Sequence, residues 1–299
     1  MNSLLALVRR NTKLFFKDKG VLFPSLITPI ILLVLYATFL ANVYRDSFEA
    51  GMPKGFNVPE ELINGCVGGE LFSSLLAVCC VTVAFCSNMI MVADKMTGAR
   101  NDLTMTPVKK SVMAFGYYIS TLISTLIVCL IATAASFIYL ANIGWYISVS
   151  DIFILLIDVV LLSLFGTAIS SIINFFLSTQ GQMSAVGTIV SAGYGFICGA
   201  YMPISQFGSG LQKVISFLPG TYGTSLIRNH ALRGVFEEMK AQNFPSEVVE
   251  SIKDSIDCNL YFFGDKVDLS TMYLIVGGSV VVLVMVYILI NALKGSKKG

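Results

Sequence analysis

Charge is scarce in this chain: Asp, Glu, Lys and Arg together make up 13% of its 299 residues, about half the share usual in soluble domains. Histidine is scarcer still, with His230 alone. One histidine excludes a zinc site built on a His pair such as H-E-x-x-H, and the cysteines outside the apolar runs lack C-x-x-C spacing. No G-x-x-x-x-G-K-[ST] phosphate loop occurs, so the chain cannot hydrolyse ATP through that machinery. No G-x-S-x-G elbow offers a hydrolytic nucleophile either. These absences argue against an enzyme, and His230 reads as an ordinary polar residue of an outer segment.

Apolar sequence fills the space that charge leaves. Hydrophobic residues reach 55%, and mean hydropathy is +0.78. Six apolar stretches, 21–41, 71–93, 112–140, 152–177, 183–204 and 272–293, each reach the roughly 17 to 20 residues that cross a bilayer core. The segments between them alternate in charge. With the N-terminus inside, the inner segments hold twelve bases against three acids and the outer ones eight bases against fourteen acids. Lys and Arg in short loops set orientation, so both termini are expected in the cytoplasm. The first stretch starts at Val21 and is too long for a signal core, so no cleavable leader is expected.

The expected fold is therefore an all-α integral membrane protein with six spans over 21–293. Residues 1–20 read as an amphipathic helix on the inner surface, with Leu4, Leu7, Val8, Leu14 and Phe15 on one stripe and Arg9, Lys13 and Lys17 on another. That pattern suits either a positive-inside anchor or a docking helix. Residues 294–299 form a basic tail. Pro24 and Pro29 should kink span one, shaping a cavity or aiding packing. Gly187, Ser191, Gly195 and Gly199 recur every four residues in span five, a small-residue face for contact within one subunit or across a dimer. Trp145 and Tyr146 mark the outer boundary.

Two outer features stand apart. In the segment 205–270, PISQFGSGLQKVISFLPGTYG is too apolar for a free loop and too broken by Gly and Pro for a span, so a re-entrant helical hairpin is expected. The sequence FPSEVVESIKDSIDCN that follows reads as a solvated acidic helix, with Glu247, Glu250, Asp254 and Asp257 at helical spacing. Cys66 and Cys258 both fall outside the spans, but no spacing supports a disulfide. Asp158 is the one clear ionisable group within a span, six residues or about 9 Å from its outer end. It serves either hydration and structure or the substrate route.

The inner loop ADKMTGARNDLTMTPVKKS is longer than a turn needs, carries charges of both signs, and predicts a short helix over 97–105 stopped by Pro107. A cytoplasmic partner could dock there. Three motifs accompany it: D-K-x-x-G-x-R-x-x-L-x-x-T-P from Asp94 to Pro107, G-x-Y-M-P from Gly199 to Pro203, and F-L-P-G-T-Y followed by L-I-R-x-x-x-L-R-G, ending at Gly234. In this order, over nearly the whole chain, they resemble the membrane subunits of ABC exporters of the type-2 permease family.

That resemblance implies a dimeric permease, homodimer or heterodimer, powered by separate cytoplasmic ATPase subunits that use ATP and Mg. The chain itself would bind no cofactor, metal or nucleic acid. It implies a coupling role for Asp94, Lys95, Gly98, Arg100, Leu103 and Pro107. It implies an outer gate at about 203–220, including Pro203, Phe217, Pro219 and Gly220. Spans one, two and five would line the pathway, giving Pro29 and the small residues of span five a shared purpose. An amphipathic or hydrophobic cargo, such as a drug, peptide or lipid-like molecule, would suit an apolar lining in the cell membrane. Two rival readings of the residues are an ion-gradient-coupled carrier and a noncatalytic membrane scaffold or sensor. The acidic stretch 237–268 departs from the family pattern.

Overall fold

The computed structural model describes residues 2–36, 40–50 and 58–296. The parts of span one at 37–39 and of the basic tail at 297–299 lie outside these residues. Helices make up almost everything described: α1 (Asn2–Lys17), α2 (Lys19–Leu35), α3 (Ala41–Ala50), α4 (Glu60–Met96), α5 (Ala99–Met105), α6 (Lys110–Ile143), α7 (Val149–Phe176), α8 (Gln180–Ile197), α9 (Ser209–Ile215), α10 (Pro219–Ala241), α11 (Ser246–Ser255) and α12 (Leu269–Ser296). One antiparallel hairpin, β1 (Tyr261–Phe262) with β2 (Asp265–Lys266), precedes α12.

Among the described residues four helices are long and apolar enough to cross a membrane: α4, α6, α7 and α12. A fifth arises if α1 and α2 count as one bent span. The two meet at 70° across Asp18, whose carboxylate caps α2 by accepting from the Gly20 N–H at 2.8 Å. Helix α2 runs on through Pro24 and Pro29, so the sharp turn lies at the junction rather than at the prolines.

Helix α4 is the hub, packed by α2, α6, α7, α8 and α10. Its apolar window is 94% buried, against 11% for α12. Gly65, Gly69, Ser73 and Ala77 recur every four residues along it, and such small residues let neighbouring helices approach closely where no hydrophobic force draws them together. A methyl group added at Gly69 would meet Leu232 at 2.5 Å, and one at Gly68 would meet Ile143 at 2.5 Å. Across the α4–α7 contact, Gly166 leaves only 2.5 Å between a would-be Cβ and the Cys80 carbonyl oxygen.

The small-residue face foreseen on span five is only partly a packing face. Gly187 abuts Met89 of α4, but Gly195 packs on Tyr201 in the turn just beyond its own helix, and Ser191 is half-buried. Gly199 lies past the end of α8 at φ +74°, the left-handed conformation that terminates helices. It ends the helix instead of lining it.

The outer segment is more deeply integrated than the sequence indicates. A short 3-10 turn at Ile204–Gln206 and α9 lead into α10, a 23-residue helix that packs against α4, α7 and α12. Pro219 opens α10 at a position where no N–H is needed, and Gly220 to Arg228 are all buried. Helix α11 is amphipathic rather than freely solvated: Val248, Val249 and Ile252 are buried while Glu247 faces outward. Asp257 falls beyond it at φ 55° and turns inward. Cys66 and Cys258 are both buried free thiols. Tyr146 does more than mark a boundary, since its ring lies against Gly65 and its carbonyl oxygen against Gly234, while Trp145 stacks edge-on to Phe137 at 5.8 Å.

Candidate functional site

At the inner end, α4 runs into α5 through Gly98, which caps α5 at φ +82° with nothing within 4 Å of a would-be Cβ. A left-handed residue here breaks the helical run, so that α5 starts afresh after α4. The residues before it fix the base of this loop. Asp94 accepts two hydrogen bonds from Arg10 of α1, at 2.6 and 2.8 Å, and one from the Tyr117 hydroxyl of α6 at 2.6 Å. Bidentate pairing with a carboxylate is the strong, directional form of the interaction, and it raises the Arg10 pKa further. Lys95 donates to the carbonyls of Asn174, Phe175 and Leu177 at 2.6 to 3.0 Å, placing a cation where α7 ends and its carbonyls lack partners.

Above this base, the Arg100 guanidinium lies over the Phe175 ring at 5.7 Å, and Leu103 packs against the core. Pro107 is exposed, and Met105 is 88% exposed, the barest of the large apolar side chains. The six expected loop residues thus divide. Asp94, Lys95, Arg100 and Leu103 face inward, Gly98 sets the turn, and the surface offered outward is Asp102, Met105 and Pro107.

At the outer end, the residues expected at a gate do not form one cluster. Pro203 is buried, and Phe217 is exposed and stacked on Phe262 and Phe263 with ring centres at 5.2 and 5.9 Å. Pro219 and Gly220 lie at the start of α10, where Gly220 touches the Tyr194 hydroxyl. They close one end of an apolar cavity of about 420 Å³ between α4, α7, α8 and α12, walled by side chains such as Phe85, Phe165, Val190 and Leu283.

Two buried polar nodes hold this outer region, and both are anchored by residues of the L-I-R-x-x-x-L-R-G motif or between them. Arg228 donates to the carbonyls of Ile256 at 2.8 Å and Gly199 at 2.9 Å and to Ser74 at 3.0 Å, and it pairs with Asp257 at 3.6 Å. Asp257 in turn accepts from the Ile204 N–H at 2.6 Å, and its burial pushes its pKa up to about 6 despite Arg228. Buried Glu70 is a second acid near the same guanidinium. The other node joins three helices: His230 Nδ1 of α10 lies 2.7 Å from Asp158 Oδ2 of α7, and the Tyr273 hydroxyl of α12 donates to Asp158 Oδ1. His230 is therefore a buried partner rather than an ordinary outer residue. Arg233 pairs with Asp151 at 2.6 Å, and Gly234 lets α10 pass the Tyr146 carbonyl.

Residue chemistry does not single out Arg10, Tyr117, Arg228 or Arg233, and it reads His230 as an ordinary polar residue. One signal was present: Arg10 falls off the Arg9–Lys13–Lys17 stripe, as a base that faces protein would. Among the described residues, no group of three His, Cys, Asp or Glu side chains is placed to hold a metal ion.

The long apolar helices, a hub of small residues and polar groups paired at helix crossings define a multi-pass α-helical membrane protein. The chain belongs to the ABC-2 type transporter family, whose model matches residues 2–231. It is accordingly a membrane component of ABC transport, distinct from the nucleotide-binding part. The match takes in the loop around α5 together with Arg228 and His230, whereas their partners Asp257 and Tyr273 lie beyond it; no curated protein matches the sequence.

Proposed function

We propose that this chain is the permease subunit of an ATP-driven exporter in the cell membrane. Six spans leave both termini cytoplasmic, α2 and α8 being the two that join the four long helices. Paired permeases, identical or not, associate with cytoplasmic ATPase subunits that bind ATP and Mg. The observation that carries this reading is α5: a short helix turned outward by Gly98, presenting Met105 and Pro107, on a base clamped by Asp94–Arg10 and by Lys95 on the end of α7. Force applied to α5 would pass to α1, α4, α6 and α7 together, because each contributes a group to that clamp.

The cavity beneath Gly220 supports an amphipathic or hydrophobic cargo, since its walls are almost wholly apolar. Pairing of α10 to α4, α7 and α12 supports 203–220 as the start of an outer closure that moves with the spans. Asp158 is occupied by His230 and Tyr273, which favours a structural role for it over an ion-coupling one.

The test is whether an adjacent reading frame encodes a phosphate-loop protein and whether that protein copurifies with this chain, followed by M105D. Loss of cargo-stimulated ATPase activity and transport, with the complex still assembled or weakened at this contact, supports the reading. Transport driven by an ion gradient with no ATPase present sinks it. Stimulation by small hydrophilic solutes alone removes the cargo assignment.

A further inference from the structure

The acidic stretch 237–268 lies wholly beyond the family match, and its last part carries three rings in succession, Tyr261, Phe262 and Phe263. Strand β1 pairs with β2 as Tyr261 with Lys266 and Phe262 with Asp265, which leaves Phe263 and Gly264 as the turn. Both have positive φ, 51° and 102°. A two-residue turn of this hand favours Asn or Asp before the Gly, and a bulky side chain in the left-handed region is strained. Successive side chains of a strand point to opposite faces, yet here both phenylalanine rings meet Phe217, just past α9, at 5.2 and 5.9 Å and each other at 4.9 Å.

The hairpin is held without these rings. The Tyr261 hydroxyl donates to Asp254 at 2.9 Å, Lys266 to Glu250 at 2.7 Å, and the Val267 N–H to the Leu260 carbonyl at 2.8 Å. Stacking does not take the rings out of solvent either, since Phe217 is 61% exposed and Phe263 63%. Leu211 and Val214 of α9 are exposed as well and precede Phe217 at three-residue intervals, which extends one apolar face along the helix. A cavity of about 460 Å³ adjoins the cluster, lined by Phe217 and Phe262 on one side and by Thr271 and Ile275 of α12 on the other. Ile275 is six residues into α12, about 9 Å along its axis. The rings therefore stand beside the outer end of α12, the long helix whose apolar window is only 11% buried within the chain.

We propose that Phe217, Phe262 and Phe263 form a wedge seated in the headgroup region of the phospholipid leaflet around the outer end of α12. Aromatic and apolar side chains with charged neighbours settle at that level. The rings continue the uncovered surface of α12, and burial of the Phe263 ring in lipid offsets the strain of its turn. Asp265 and Asp268, which line the same cavity, stay in water and keep the wedge shallow. The one base there, Lys266, is held by Glu250, so attraction is apolar and needs no anionic lipid. The wedge ties the end of α9, and with it the segment 203–220, to the leaflet. This assignment rests on membrane insertion alone and is independent of cargo and of any ATPase.

The purified chain in phosphatidylcholine vesicles tests it. Trp145 is the one tryptophan, so W145F gives a background in which F263W and, separately, F217W each report one ring position. E247W, on the exposed side of α11, is the control. Emission of F263W and F217W should lie to the blue of E247W. Lipids brominated near the carbonyl end of the acyl chain should quench both more than lipids brominated near the methyl end, and iodide should quench neither, at low or high salt. E247W should be quenched by iodide and not by lipid. Quenching of both ring positions by iodide and not by brominated lipid overturns the proposal. Shielding from both quenchers marks a protein contact, such as a second copy, and overturns it too. Lipid quenching of E247W equal to that of F263W removes the assignment to the rings. F217W, on a different segment, carries the test if F263W does not fold. Because no ATPase is present, the outcome is separate from that of M105D.

Discussion

Asp158 and His230, 72 positions apart, meet at 2.7 Å inside the protein and tie α7 to α10, with Tyr273 adding α12 through the other carboxylate oxygen. One buried acid thus holds three helices. Removing a hydrogen bond to a charged group costs about 1.5–3 kcal/mol, whereas removing the partner of a buried charge costs more. Tyr273→Phe should lower thermal stability in detergent modestly and His230→Ala more. A double-mutant cycle between the two positions should show non-additivity, because both act through Asp158.

Among the described residues Arg228 is the one cation paired at the other outer node. Replacing it with Ala strands Asp257 and Glu70, and uncompensated buried charge costs about 3–5 kcal/mol. The expected result is a large fall in melting temperature with accelerated hydrogen exchange at 199–204 and 256–258, the backbone that Arg228 and Asp257 tie together. Exchange at α5, at the opposite end of α4, should change little.

Gly234 tolerates no side chain. A Cβ there would fall 1.7 Å from the Tyr146 carbonyl oxygen, a backbone atom that cannot swing aside. Gly234→Ala should cost at least about 3 kcal/mol, the overpacking range and above. Gly277→Ala, where nothing lies within 4 Å, should be neutral or stabilising by up to about 1 kcal/mol from helix propensity. Thermal unfolding of the two variants side by side checks the contrast.

Glu250 anchors the outer appendage. Its carboxylate accepts from Lys266 at 2.7 Å, Asn259 at 3.1 Å and Lys253 at 3.2 Å, joining α11 to β2. The Lys266 hydrogen bond first, then Asn259 and Lys253, hold its pKa down at about 2. A folded-state pKa below the unfolded one gives stability that is complete above the unfolded value and is lost as pH falls through the folded one. Glu250's share of the protection of 246–266 from proteolysis is read as the difference between the wild-type chain and Glu250→Gln. That share should be constant from pH 7 to 5 and vanish as pH falls from about 4.5 to about 2, while Asp257, raised to about 6, titrates alike in both.

Arg10 locks α1 to the base of the loop that carries α5 through both oxygens of Asp94. Lysine keeps the charge but not the fork. Arg10→Lys should therefore loosen α1 and α5 together in hydrogen exchange, whereas Arg9→Lys should leave both unchanged.

The membrane helices were legible because a bilayer demands long apolar runs, and α4, α6, α7 and α12 stand where those runs are. Helix α10 was not, because its first half is rich in Gly, Thr and Ser and carries Arg228 and His230. Such a sequence reads as polar loop unless the partners of its charges are known. Those partners, Asp257 and Asp158, lie 29 and 72 positions away, and no local period reports a pairing at that distance. The helix of α5 and its stop before Pro107 were local matters that the sequence carried, but the expected helix over 97–105 took in Gly98, which instead forms the left-handed turn ahead of Ala99. The inward turn of Arg100 depends on Phe175 of another helix and was invisible. Span five drew attention through its glycines, yet the tighter four-residue repeat runs through Gly65, Gly69, Ser73 and Ala77 of α4, beginning ahead of the apolar run 71–93.

The contrast between α4 and α12 predicts how this sequence can drift. In α12, few apolar positions are buried within the chain, so Val, Ile, Leu and Met are nearly interchangeable there and selection sees mainly their class. In α4, the neighbours are backbones at contact distance, and selection sees single methyl groups. A saturation library would return a permissive alphabet for α12 and almost a fixed text for α4, although hydropathy describes both as apolar membrane spans.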